Sequence, residues 1–225
     1  MMKKTFAAKT ISFILAAVLL LTASAALAEE NASVAIDKAA FDALIASGPV
    51  ADEDTIAASQ WAAAVKKAGI LRVGGTRTSF LFSQLDETDN GLRGFDAGLY
   101  QLLARYILGD ETKFELTQVT SSTRESVLTS GQVDAVFATY SITPSRQEVI
   151  SFAGPYYTSQ QAVLVKAGNT EITGIESLAD QIVATQSGST GPSILLNMRR
   201  MPLCRSLRMI FRPARLWSRG EQTLT

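Results

Sequence analysis

VDAVFATYSITPSRQEVISF, residues 133–152, places a strand and a helix back to back. VDAVFA is a short apolar run of the kind that forms a buried strand. Thr143 then stands where a helix N-cap belongs and Pro144 where a first helical residue belongs, so Arg146 falls in the first helical turn. A cation there faces unpaired amide N–H groups, a local conflict of about 0.3 to 1 kcal/mol. Two readings resolve it. Either Arg146 is a solvated surface side chain, or an anion arrives between the guanidinium and the amides.

Outward from this stretch the pattern repeats. LRVGG (71–75) and KFELTQV (113–119) read as strands, and GFDAGLYQLLARYIL (94–108) has apolar residues at helical spacing. SSTRESVLTSG (121–131) reads as a helix with a capping box, Ser122 and Glu125, and Gly131 as its stop. Strands alternating with helices predict an α/β fold with a mostly parallel, covered sheet, in which ligands bind at the carboxyl ends of the strands. Arg77 follows the first strand, Arg124 opens the helix after the second, and Arg146 opens the helix after the third. Three arginines on one sheet edge suit a ligand with more than one carboxylate, because the guanidinium fork grips carboxylates bidentately. Thr139 and Ser141 add hydroxyls in the same turn. The competing reading pairs Arg124 with Glu125 or Asp134, and takes Phe80, Phe82 and Tyr140 as core or cleft wall; Phe95 and the helix it opens read as packing.

Past residue 157, QAVLVKAG (161–168) reads as a crossing strand, QIVAT as a strand, SGST as a loop and Pro192 as a helix start. Ser189 and Thr190 then sit at a second anion-binding helix end. The loop lacks the lysine of a Walker pattern, and GGTRTS after the first strand lacks dinucleotide spacing, which argues against nucleotides.

The N-terminus carries MMKKTFAAK, an apolar run and an Ala26-Leu27-Ala28 pattern, which predict a secretory signal peptide over 1–28, cleaved after Ala28, and a free periplasmic product. Residues 29–67 are alanine-rich and read as two short helices broken at Gly48 and Pro49. Cys204 is the only cysteine, which excludes an internal disulfide framework, and the absence of histidine removes histidine triads and most zinc sites. No catalytic residue, metal or cofactor is assigned. The net charge of zero hides an acidic body: residues 29–196 hold 11 basic and 20 acidic side chains, which makes nucleic acid an unsuitable partner.

Two stretches carry a resemblance to a known family. GFDAGLYQLLARYI resembles the signature of the extracellular solute-binding proteins of bacterial amino-acid uptake transporters, departing from it at Ala97, which is small, and at Gly98, where an acid is usual. VDAVFATYSITPSRQEVISFAGPYY is the most specific match. The resemblance covers about 71–195. It implies a periplasmic-binding-protein-like two-lobe fold, with a first lobe over 68–164, a hinge crossing at 165–168 and the start of a second lobe over 169–196. It implies that Arg146 binds a ligand α-carboxylate, with hydrogen bonds from Thr139 and Ser141 and a cap from Thr190. In glutamate and aspartate binders of that family, arginines near Arg77 and at Arg124 contact the side-chain carboxylate; Arg77 is offset by about one position. The implied partners are glutamate or aspartate and the membrane permease of an ABC importer, for a protein that is monomeric when complete. An enzyme or sensor built on the same lobes is the alternative.

The tail, 197–225, has seven arginines, one glutamate and no clear periodicity. Read with each codon shifted by one base, permitted codons yield YAPDATVQELKDDIQARKALEQGRADAY. Met201 followed by Pro202 forces Ala, and Met209 followed by Ile210 forces Asp. The ending QGRADAY echoes SGQVDAVFATY in the first lobe. A one-base deletion near codon 197 is therefore expected, with a tail mostly disordered or poorly packed and a second lobe left incomplete.

Overall fold

The computed structural model describes residues 35–200 and 208–212. The expected signal peptide and its cleavage site lie outside the described residues. The chain divides into two compact units, Met1–Ile36 and Asp37–Thr225, and the second carries every element below.

Three helices open this unit: α1 (Lys38–Ala46), α2 (Glu53–Ala57) and α3 (Gln60–Ala68). The predicted pair is thus three, because Ser59 restarts the helix: its hydroxyl accepts the Ala62 N–H, as Asp37 and Asp52 do for α1 and α2. Strand β1 (Leu71–Gly75) follows, then a small antiparallel sheet of β2 (Thr78–Ser79), β3 (Ser83–Asp86) and β4 (Gly91–Arg93). Helix α4 (Phe95–Leu108) leads to β5 (Phe114–Gln118), α5 (Arg124–Thr129), β6 (Ala135–Phe137) and α6 (Pro144–Gln147). The central sheet has the order β5-β1-β6 and is entirely parallel. A second parallel sheet pairs β7 (Ile182–Gln186) with β8 (Arg208–Arg212), flanked by α7 (Gly191–Arg199) and preceded by a 3-10 turn at Glu176–Leu178. The result is a two-lobe α/β fold with mostly parallel sheets flanked by helices.

The main core explains the sequence pattern. Helix α4 buries Ala97, Tyr100, Ala104 and Ile107 along one stripe, against Leu71 and Val73 of β1. Ile56, Ala62 and Val65 of the N-terminal helices complete the same cluster. The departures at Ala97 and Gly98 lie on this packed face: Ala97 is fully buried, and a Cβ on Gly98 would come into van der Waals contact with the Phe41 ring and Ile45 at about 3.4 Å, so the docked extension lies over the position where an acid is usual. The Arg105 guanidinium donates to the Gly48 carbonyl, and Arg93 forms an ion pair with Asp42 at 2.8 Å, so the extension is fastened by polar contacts as well.

Two local expectations fail, and a third fails over one short segment. QAVLVKAG forms no strand; Val163 and Leu164 are exposed, Leu164 to 87%, because no neighbouring backbone among the described residues offers a ladder. The capping box does not form: the N-cap of α5 is Thr123, the Ser122 hydroxyl donates to the Ser187 carbonyl, and Glu125 instead accepts from Tyr140. Of the tail expected to be mostly disordered or poorly packed, residues 208–212 depart from that expectation by forming β8 in parallel register with β7, with Met209 beside Leu178, Leu195 and Met198; for residues 201–207 and 213–225 the expectation lies outside the described residues. RMIFR is a β-prone apolar run, and it satisfies the edge of β7.

Candidate functional site

The parallel order β5-β1-β6 brings the carboxyl ends of three strands to one edge. Arg77, Arg124 and Arg146 follow those three ends in sequence. Two of them come together. Arg124 and Arg146 both lie over the ring of Tyr140, at 4.0 and 4.3 Å from its centroid, an arrangement in which the π face offsets two like charges. Arg77 goes elsewhere, donating to the Leu116 carbonyl at 3.5 Å.

Arg124 is only 4% exposed. Its Nη1 donates to the Ala138 carbonyl at 2.7 Å and its Nη2 to the Gly188 carbonyl at 3.4 Å, while Nε is buried with no hydrogen-bond partner among the described residues. Burial, and then the Arg146 charge beside it, draw its pKa down to about 10. Neither Glu125 nor Asp134 pairs with it: Asp134 binds Arg72, and the Glu125 carboxylate accepts the Tyr140 hydroxyl at 2.6 Å. Arg146 sits in α6, whose N-cap Thr143 accepts the Arg146 N–H. The helix is a single turn, so the dipole conflict read from the sequence is slight. The Arg146 guanidinium donates to the Ser141 carbonyl at 2.8 Å and to the Gly188 carbonyl at 2.9 Å.

Both arginines therefore converge on one oxygen, the carbonyl of Gly188, in the loop between β7 and α7. Gly188 has φ +75°, and a Cβ there would be driven into the Ser121 carbonyl, so only glycine lets this loop reach the first lobe. Beside it the Ser189 hydroxyl donates to the Gln186 carbonyl and accepts the Gly191 N–H, closing the local turn. Thr190 is the N-cap of α7 without a side-chain cap bond; its hydroxyl accepts from the Gln161 amide at 3.4 Å.

The remaining predicted residues, Thr139 and Ser141, lie in the turn after β6. Thr139 has φ +46°, an uncommon conformation for a threonine, and its N–H donates to Asp96 Oδ2 at 3.0 Å. Asp96 is fully buried in the first turn of α4 and also accepts the Tyr156 hydroxyl at 3.0 Å. Burial holds its carboxyl above the usual range, partly offset by those two bonds, and the same burial and carboxylate push the Tyr156 phenol up. Asp96, Tyr156 and the Tyr140–Glu125 pair have no role in the sequence reading, which treats the α4 signature as packing. A lone acid amid the apolar stripe of α4 was the available signal. Phe95, likewise expected to pack, is 44% exposed and in ring contact with Phe82, Tyr156 and Tyr157. No group of three or more acidic, cysteine or histidine side chains among the described residues is placed to hold a metal.

Known proteins agree with this architecture. The chain is 37% identical over 127 residues to the glutamine-binding protein of Geobacillus stearothermophilus, covering 56% of this chain and 48% of that protein. It is 34% identical over 111 residues to a glutamate-binding protein of Corynebacterium efficiens, covering 47% of this chain and 38% of that one. The chain thus spans about half, or less, of the length of these curated relatives. A crystal structure of an ancestral amino acid-binding protein, a precursor of cyclohexadienyl dehydratase, superposes with a TM-score of 0.61 at 28% identity, over 71% of this chain and 68% of that one. Residues 71–224 match a family pattern that begins at β1 and runs through the arginine-rich tail, and the chain belongs to that family, the bacterial extracellular solute-binding proteins, family 3.

Proposed function

We propose that this chain is the substrate-binding component of an ABC-type amino-acid importer, exported by a signal peptide cleaved after Ala28, and that it captures glutamate or aspartate without chemical turnover. Arg146 takes the ligand α-carboxylate with Thr139 and Ser141, Arg124 takes the second carboxylate, joined by Arg77 once it leaves the long bond to the Leu116 carbonyl, and Ser189 and Thr190 close on the ligand from the second lobe. The closed form then engages a membrane permease. The observation that carries this reading is the convergence of Arg124 and Arg146 on the Gly188 oxygen: a carboxylate oxygen is the same kind of acceptor with more charge, and the buried, unpartnered Nε of Arg124 is a further donor.

One observation favours a neutral amide ligand instead. Glu125 joins the arginine layer through Tyr140 and offsets part of its positive charge, and glutamine binding is what the name of the Geobacillus relative states. Calorimetric titration with glutamate, aspartate and glutamine separates the two. Tighter glutamate or aspartate supports the acidic reading; tighter glutamine replaces it; heat from none of the three removes both.

The one-base deletion near codon 197 is part of the proposal. The forced alanine and aspartate and the acidic string support it; β8 and the family match through residue 224 support the frame as it stands. Resequencing codons 185–225 decides, and the titration belongs on both the present chain and any restored one.

A further inference from the structure

We infer that Asp96 is a positioning residue for the arginine pair, an inference that rests on the proposed carboxylate-gripping role of Arg146 and Arg124. Neither arginine touches Asp96. Both instead anchor on the turn Asp96 holds: Arg124 on the Ala138 carbonyl and Arg146 on the Ser141 carbonyl, with Tyr140 between them under both guanidiniums. That turn is bent through Thr139 at φ +46°, a conformation that persists only when its surroundings enforce it. The Thr139 N–H bond to Asp96 Oδ2 supplies the enforcement from the first turn of α4, where backbone amides favour an acceptor. The other oxygen, Oδ1, holds the Tyr156 hydroxyl, so the same carboxyl also ties down the segment that leaves the lobe after β6 and α6. A fully buried carboxyl with both oxygens committed to two separate segments fixes their relative placement.

The geometry predicts different results for three variants of the 225-residue chain. In Asp96→Ala, amide hydrogen exchange across 138–150 should rise about tenfold or more while α1 and β1 stay within about twofold. In Asp96→Asn the amide oxygen still accepts from Thr139 and the amide nitrogen donates to the Tyr156 oxygen, so exchange should remain near wild type. Tyr156→Phe should loosen 152–158 and leave 138–146 protected. Uniform acceleration in Asp96→Ala, as plain destabilisation would give, overturns the inference, as does unchanged exchange. If Asp96→Ala does not fold, loss of 138–150 protection in Asp96→Asn overturns it, and retained protection there, together with the segment-limited response of Tyr156→Phe, supports it. Titration with glutamate and glutamine adds an independent arm: where the wild type binds, Asp96→Ala should weaken binding about tenfold or more and Asp96→Asn much less. If the wild type binds neither ligand, the proposed function fails while the exchange result still decides the role of Asp96.

Discussion

The two sheets are built alike and supported differently. Around β5-β1-β6, helices from both sides of the sequence close one cluster in which Leu71, Val73, Tyr100 and Ala104 are wholly buried. Around β7-β8, the cluster is Leu178, Leu195 and Met198, with Ile172, Val183 and Met209 only partly covered. A small apolar cluster removes little area from water, so the second region depends more on its contact with the first, through Ser122 to Ser187 and the two arginines to Gly188. The candidate site lies on that contact, where the region with the smaller core meets the one with the larger.

The largest way to break this comparison is in the main core. Leu71→Ala should cost about 2–5 kcal/mol in urea unfolding, whereas Leu178→Ala should fall at or below the low end of that range because its surroundings can collapse. Equal losses would mean the cores are equivalent. Next comes the contact itself. Arg146→Ala should weaken ligand binding by about 2–5 kcal/mol, because it leaves a desolvated carboxylate without its partner; unchanged affinity in calorimetry would remove Arg146 from the site. Gly188→Ala should cost about 1–3 kcal/mol by placing a side chain at φ +75° against Ser121, and exchange should speed in 182–199 with little change in β1.

The smallest effect is a pH dependence. Burial raises the Asp96 carboxyl above its unfolded value, so its contribution to stability is fully present below that value and is lost as pH rises through the folded one. Relative to Asp96→Asn, the wild type should therefore lose ground in urea titrations as pH rises above the ordinary carboxylate range; a constant difference would place the carboxyl in a less desolvated setting.

Much of the first lobe was legible because its signals are local. The stripe of α4, the strand LRVGG, and the Thr143-Pro144 helix start need only side-chain spacing and capping to declare themselves. The edge position of three arginines was legible too, since alternating strands and helices imply a parallel sheet. QAVLVKAG misled because an apolar run becomes a strand only if a neighbouring backbone accepts it. Ser122 misled because its hydroxyl had a distant competitor at Ser187.

By itself, the sequence determined the elements, the acidic body without histidine, and the family to which the fold belongs. Tertiary structure alone decided which arginines meet: Arg124 and Arg146 share Tyr140 and Gly188, while Arg77 turns to Leu116. It alone also made Asp96 a buried brace and filled the space over Gly98 with the N-terminal helices. The reason is one of range. Helix and strand preferences act within a few residues, whereas these contacts join segments roughly 15 to 60 residues apart and exist only once burial has made an unpaired polar group or an empty space costly.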